Sequence, residues 1–218
     1  VSGDDAPTRR RILDAALRLF REQSYASTTM RGIAAAAGVS VGNAYYYFSG
    51  KDELVQAFYE EIQDDHRRRA AAVLAAGPDF GERLRGVLHT GVDAMSPHHG
   101  FAGSFVRVAV DPTSPSSPFS PQSRRAREQA VGLFREVVEG SRLSVRDDLR
   151  AELPELLWLA YLGITLFWVH DRSPGQARTR TLIDGAVPLL VTVLRVSRLP
   201  AVRSVVGEAV ELVRAVRS

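Results

Sequence analysis

Apolar positions recur at helical spacing almost from end to end, and no clear period-two strand interrupts them. Residues Thr8 to Gln23 place Ile12, Ala16, Leu19 and Phe20 on one stripe, with Leu13 and Leu17 beside them. A short linker, Ser24 to Ser27, follows. Thr28 or Thr29 can cap a second helix, Met30 to Ala37, because a hydroxyl there accepts a free backbone N–H. Gly38 stops it where the chain turns left-handed, and Ser40 caps a third helix, Val41 to Tyr47. Ser49-Gly50-Lys51-Asp52 fits a capping box and opens a long helix to about Ala76, ended by Gly77-Pro78.

Further helices are predicted over Phe80 to Met95, Phe101 to Val110, Gln122 to Glu139, Glu152 to His170 and Gln176 to Val196. Pro188 should kink or break the last of these. Pro200 can open a final helix, Ala201 to Val216, with Val202, Val206, Val210 and Val213 in register. Asp111 to Pro121, with four prolines and four serines, reads as the most mobile loop. The apolar run Leu156 to Val169 spans 14 residues, short of the roughly 18–20 needed to cross a bilayer, and reads as a buried helix. The start, Val1 to Asp5, is polar and acidic, with no apolar stretch after a basic segment. A cytoplasmic protein without membrane contact is therefore expected.

Composition narrows the chemistry. The 218 residues include no cysteine, which excludes disulfides, thiolate metal sites and cysteine nucleophiles. The net charge is +3, and its distribution is uneven. Residues 1–51 carry seven basic side chains against four acidic ones, whereas the remaining basic and acidic residues cancel. A basic end on a neutral body suggests an anionic partner at that end.

Residues 28–54 read TTMRGIAAAAGVSVGNAYYYFSGKDEL. Two short capped helices meet at a glycine turn, and Ala34 and Ala37 are small enough for close approach. Ile33, Val39, Ala44 and Phe48 can form a small core with the first helix. That is a helix-turn-helix, whose second helix enters the major groove by its N-terminus. Val41, Gly42 and Asn43 are small or amide-bearing and suit base edges. Tyr45, Tyr46 and Tyr47 offer phenol hydroxyls to phosphates, with Tyr47 and Lys51 the foremost candidates. Arg31 and the run Arg9-Arg10-Arg11 add positive charge.

This stretch resembles the DNA-binding domain of the TetR/AcrR family of transcriptional repressors. The matching residues are Thr29, Ile33-Ala34, Ala37-Gly38-Val39-Ser40, Gly42, Tyr45, Tyr46-Tyr47-Phe48 and Lys51 to Leu54. Gly32 and Tyr47 stand where that family usually has a polar residue and a histidine. The resemblance implies an all-α homodimer. Residues 1–51 would be a three-helix DNA-binding domain, and residues 52–218 an effector-binding and dimerisation domain. By family position Arg31, Ser40, Val41, Gly42, Asn43, Tyr45, Tyr46, Tyr47 and Lys51 would face a double-stranded operator. A small, largely apolar effector would release it, and no cofactor is implied.

Phe101, Phe105, Arg107, Phe134, Trp158, Tyr161 and Thr165 are the candidate effector contacts, because a pocket needs apolar walls and a few polar groups. Most of these aromatics must also serve the core. Arg67-Arg68-Arg69 reads as a solvated face paired with Asp64 and Asp65. His98-His99 and His89 with Asp93 lack a third metal ligand at helical spacing. Trp168, His170 and Asp171 have no nucleophile tied to them, so neither a metal site nor a catalytic site is expected.

Overall fold

The computed structural model describes residues 5–197, apart from the side chains of Phe101, Ser104, Arg107 and Val108. The expected helix after Pro200 lies outside the described residues. So do the side chains of two effector candidates, Phe101 and Arg107. The described chain is all-α: α1 (Asp5–Gln23), α2 (Met30–Ala37), α3 (Val41–Tyr47), α4 (Lys51–Ala75), α5 (Phe80–Met95), α6 (His99–Ala109), α7 (Arg124–Glu139), α8 (Asp147–His170) and α9 (Ala177–Val196). Short 3-10 turns, Ser96–His98 and Pro174–Gln176, precede α6 and α9.

The chain packs as two compact units. The first takes residues up to Asp64 together with Pro97–Arg127. Its core is built from Ile12, Leu13, Ala16 and Phe20 of α1, Ile33 and Ala34 of α2, Ala44 of α3 and Phe48. Leu54, Val55 and Phe58 of α4 belong to the same core, so it continues past residue 51.

Two helices as short as α2 and α3 cannot hold themselves in water, and their ends are tied accordingly. Thr29 Oγ1 accepts the Gly32 N–H at 3.1 Å, and Ser40 Oγ accepts the Asn43 N–H at 3.1 Å. Gly38 adopts φ +68°. Its N–H reaches the Ala35 carbonyl at 3.2 Å, and the Val39 N–H reaches Ala34 at 3.0 Å. These two bonds form a Schellman stop, which uses carbonyls left over at the helix end.

One expectation for this unit is revised. At the start of α4 the Ser49 N–H bonds to Glu53 Oε2 at 2.6 Å, not to Asp52. Asp52 instead accepts the Tyr25 hydroxyl at 2.7 Å and the Ser116 hydroxyl at 3.3 Å. The segment Asp111 to Pro121 is a loop, as expected, and its own turns close it into a packed strap. Successive turns close it at Ser114, Ser117 and Ser120, and Ser116 and Ser117 are buried. Gln56 Nε2 donates to the Pro115 carbonyl and Ser123 Oγ, each at 3.0 Å, and Tyr59 donates to the Ser116 carbonyl at 3.2 Å. Serines that can bond their own backbone make such a compact strap possible.

The second unit comprises Asp65–Ser96 and the chain from Glu128 onward. Leu84, Val87 and Val92 of α5, Leu133, Phe134 and Val137 of α7, Leu157, Trp158 and Tyr161 of α8 and Ile183 and Val187 of α9 are buried. Helix α8 starts five residues before the predicted Glu152, with Asp147 and Asp148 in its first turn, where carboxylates favour a helix start. By length and mean hydropathy it could cross a membrane. It is not uniformly buried as expected: Leu159, Leu166 and Phe167 are exposed. Helix α9 continues through Pro188, which lies on its exposed side, without the expected break.

Arg83 is a buried cation whose partners are all carbonyls. It donates to Leu74, Gly77, Glu136 and Val137. Those oxygens lie in and just beyond the last turn of α4 and in the last turn of α7, where intrahelical donors run out. Asp171 ties the α8–α9 corner. It accepts from the backbone and hydroxyl of Ser173, and from both groups of Thr179 at 2.8 Å. Desolvation alone would raise its carboxyl pKa, and these four donors overcome that and hold it well below the ordinary carboxylate range.

Two stability measurements follow from this packing. Gly38→Ala should cost about 1–2 kcal/mol by forcing a side chain into left-handed backbone, although the space there is open. Arg83→Met should cost about 1–3 kcal/mol through the orphaned carbonyls. Urea unfolding of the full chain reads both, and an unchanged midpoint in either variant contradicts the corresponding assignment.

Candidate nucleic-acid interface

The local packing decides which side of α3 is presented. Ala44 and Phe48 are fully buried and fix the inward face. Val41, Gly42 and Asn43 are consequently exposed at the N-terminal end, as are Tyr45 and Tyr46 further along. Tyr46 is 76% exposed and Tyr45 52%, unusual values for tyrosines in a helix whose other face is core. Nothing lies within 4 Å of the position a Gly42 side chain would take, so the backbone there is open to close approach. Arg31 is exposed at the start of α2.

The hydrogen bonds divide the candidates into groups that are free to meet a ligand and groups already engaged. Tyr47 is half-buried, and its hydroxyl donates to Asp5 at 2.6 Å. Lys51 Nζ donates to the Tyr25 carbonyl at 2.7 Å and lies 4.4 Å from the centre of the Tyr25 ring. Ser40 spends its hydroxyl on capping α3. Tyr45 and Tyr46 thus present the open phenols, while the two foremost sequence candidates hold internal partners. Among the three leading arginines, Arg10 pairs with Asp14 and Glu61, and Arg11 donates to Thr8. Arg9 lies 4.8 Å over the Phe48 ring.

Tyr25 is the residue that sequence reasoning missed. It carries Lys51 on its carbonyl and ring, and Asp52 on its hydroxyl. Burial, together with the hydrogen bond to Asp52, raises its phenol pKa well above the ordinary value, so it stays a neutral donor. Its only sequence signal was an aromatic residue in an otherwise small and polar linker.

The effector candidates are divided between the two units. Phe105 belongs to the first unit, edge-on to Phe58 at 5.1 Å and to Tyr59 at 5.3 Å. Phe134, Trp158 and Tyr161 are buried in the second unit, with Phe134 and Tyr161 rings 5.7 Å apart. Thr165 donates to the Tyr161 carbonyl at 2.9 Å.

The side chains set aside earlier are engaged in packing. His89 bonds to Asp184 at 2.9 Å, and Asp93 to Arg180 at 2.7 Å. A His170 ring nitrogen lies 2.9 Å from the Leu166 carbonyl. Asp65 takes both Arg68 and Arg69, and Arg67 pairs with Glu136 instead of an aspartate of its own helix.

A capped helical pair with an exposed, small-residue N-terminus and flanking phenols defines the class: a helix-turn-helix DNA-binding protein. Residues 12–58 match the family described as bacterial regulatory proteins, tetR family. Residues 83–212 match the tetracyclin repressor-like C-terminal domain. The chain therefore belongs to the TetR family.

Among curated relatives, it is 32% identical over 91 residues to the HTH-type transcriptional repressor KstR2 of Rhodococcus jostii, covering 42% of this chain and 45% of that protein. It is 42% identical over 65 residues to the HTH-type transcriptional regulator TtgR of Pseudomonas putida, covering 30% and 31%. The chain thus spans half or less of the length of these relatives. Solved structures agree over more of the fold. A putative TetR-family regulator from Syntrophomonas wolfei superposes with TM-score 0.68 at 15% identity, over 86% of this chain and 96% of that one. Thermus thermophilus FadR, a TetR-family repressor solved with lauroyl-CoA, gives 0.60 at 22%, over 82% and 92%.

If the exposed α3 face meets DNA, Tyr46→Phe should weaken binding to all duplexes by about 1 kcal/mol through loss of one hydroxyl. Asn43→Ala should instead change base preference at one position by about 1–3 kcal/mol. Fluorescence anisotropy on a panel of duplexes separates the two effects, and unchanged binding by both variants contradicts the placement.

Proposed function

We propose that the protein is a homodimeric transcriptional repressor that a small, largely apolar effector releases from a palindromic operator, acting in the cytoplasm and without catalysis. The exposed N-terminal face of α3, with Tyr45 and Tyr46 open beside it, is the observation that carries this reading. Family membership supports it, as does the repressor function of the Rhodococcus relative. The lauroyl-CoA bound by the Thermus repressor supports control by a small molecule.

Dimerisation rests on the second unit. Leu159, Leu166 and Phe167 of α8 are exposed, as are Leu182, Leu189, Val193 and Val196 of α9. Large apolar side chains concentrated on two helices mark an interaction surface. A two-fold partner using the same surface buries it on both sides and presents two α3 helices to two half-sites.

In the mechanism, α4 is the link. Its first turns, through Phe58, are part of the reader's core, and its C-terminal end is tied down by Arg83. An effector that prefers one arrangement of α4 over another changes the spacing of the readers, and operator affinity falls by that preference.

Leu189→Glu, on a side chain 69% exposed, should yield a folded monomer. Sedimentation would show the halved mass, and operator affinity should fall by about a hundredfold or more, because two linked half-sites become one. A dimer that persists in this variant and in Val193→Asp contradicts the assigned interface.

A further inference from the structure

His66 is a fully buried side chain of α4 that the DNA-reading mechanism does not use. Its Nε2 lies 2.8 Å from the Val87 carbonyl. A carbonyl can only accept, so Nε2 carries the proton and Nδ1 presents a lone pair. That lone pair has no hydrogen-bond partner among the described residues. Burial drives the imidazole pKa below its ordinary value, against the smaller opposing effect of the Val87 carbonyl, so the ring is neutral. The charges adjoining it in sequence, Asp65 and Arg67, are of opposite sign, and each has its own ion pair.

The surroundings are specific. The Tyr161 ring of α8 faces the imidazole at 5.6 Å, tilted by 36°. The Tyr161 hydroxyl donates to the Met95 sulfur at 3.7 Å, a weak acceptor. Gly91 of α5 closes the third side. A Cβ there would come within 2.6 Å of the Tyr161 hydroxyl and 3.0 Å of His66 Cε1. An unanswered acceptor and a poorly answered donor are thus carried on two neighbouring rings that both border Gly91.

We infer that His66 Nδ1 and the Tyr161 hydroxyl form the polar end of the effector site, and that the effector is a neutral apolar molecule bearing a hydroxyl. The inference rests on the effector-release reading above and names the chemistry of its ligand. A hydroxyl can donate to Nδ1 while accepting from Tyr161. A carboxylate or an ether cannot donate to Nδ1, and a carboxylate also carries a buried charge with no cation to meet it. Since one added carbon at Gly91 already clashes, the ligand hydroxyl enters only as α5 or α8 moves off α4. Occupancy is thereby coupled to the helix that continues into the reader.

The test uses the full chain with its five histidines labelled with nitrogen-15, and three probes on one ring: phenol, anisole and benzoate. The His66 resonances are those missing in His66→Phe. Phenol should shift the Nδ1 resonance saturably and bind about tenfold tighter than anisole or benzoate, the worth of one hydrogen bond to a buried orphan. Tyr161→Phe, which keeps the ring, should reduce that preference. Equal affinities, no response to phenol, or an Nδ1 resonance already fixed by a buried water and indifferent to all three probes would overturn the inference.

Operator binding is measured on the same samples. Intact DNA binding without phenol preference sinks the hydroxyl inference alone. Phenol preference without any DNA binding sinks the regulator reading alone.

Discussion

The turn between α2 and α3 is the constraint on which the rest depends. Two capping hydroxyls, Thr29 and Ser40, and the left-handed Gly38 hold helices of eight and seven residues at a fixed angle. Neither helix is long enough to persist alone. With the turn set, Ala44 and Phe48 face the core, and Val41, Asn43, Tyr45 and Tyr46 have no choice but to face outward. The face proposed to read DNA is thus a by-product of which residues the turn sends inward.

The proposed release by an effector requires that this surface answer to events elsewhere in the chain. Helix α4 meets that need because both its ends are fastened by polar bonds. At its start, Tyr25 holds Lys51 and Asp52, and the serine strap holds Gln56 and Tyr59. At its end Arg83 gathers the last carbonyls. His66 lies between these two fastened ends.

Much of this was legible in the sequence, for identifiable reasons. The ends of α2, the start of α3 and the stop of α4 follow from Thr29, Gly38, Ser40 and Gly77-Pro78, because capping and stopping are local chemistry. What escaped was everything decided by partners far along the chain. Nothing near Tyr47 announces Asp5, and nothing near Lys51 announces the Tyr25 carbonyl. The strap was legible as a loop because prolines and serines signal one, whereas the α4 side chains that bond to it lie some sixty residues away. The aromatic candidates for an effector site could be counted but not sorted, since only packing separates Phe105 from Phe134 and Tyr161.

The central claim is that paired α3 helices read duplex DNA. It is tested most directly by selecting binding sites for the purified full chain from random duplexes, then titrating salt on the best one. The account predicts a palindromic site with two half-sites. Affinity should fall with a log–log slope of about −0.9 for each phosphate neutralised. Recovery of no duplex at low ionic strength, or an affinity indifferent to salt, would contradict it.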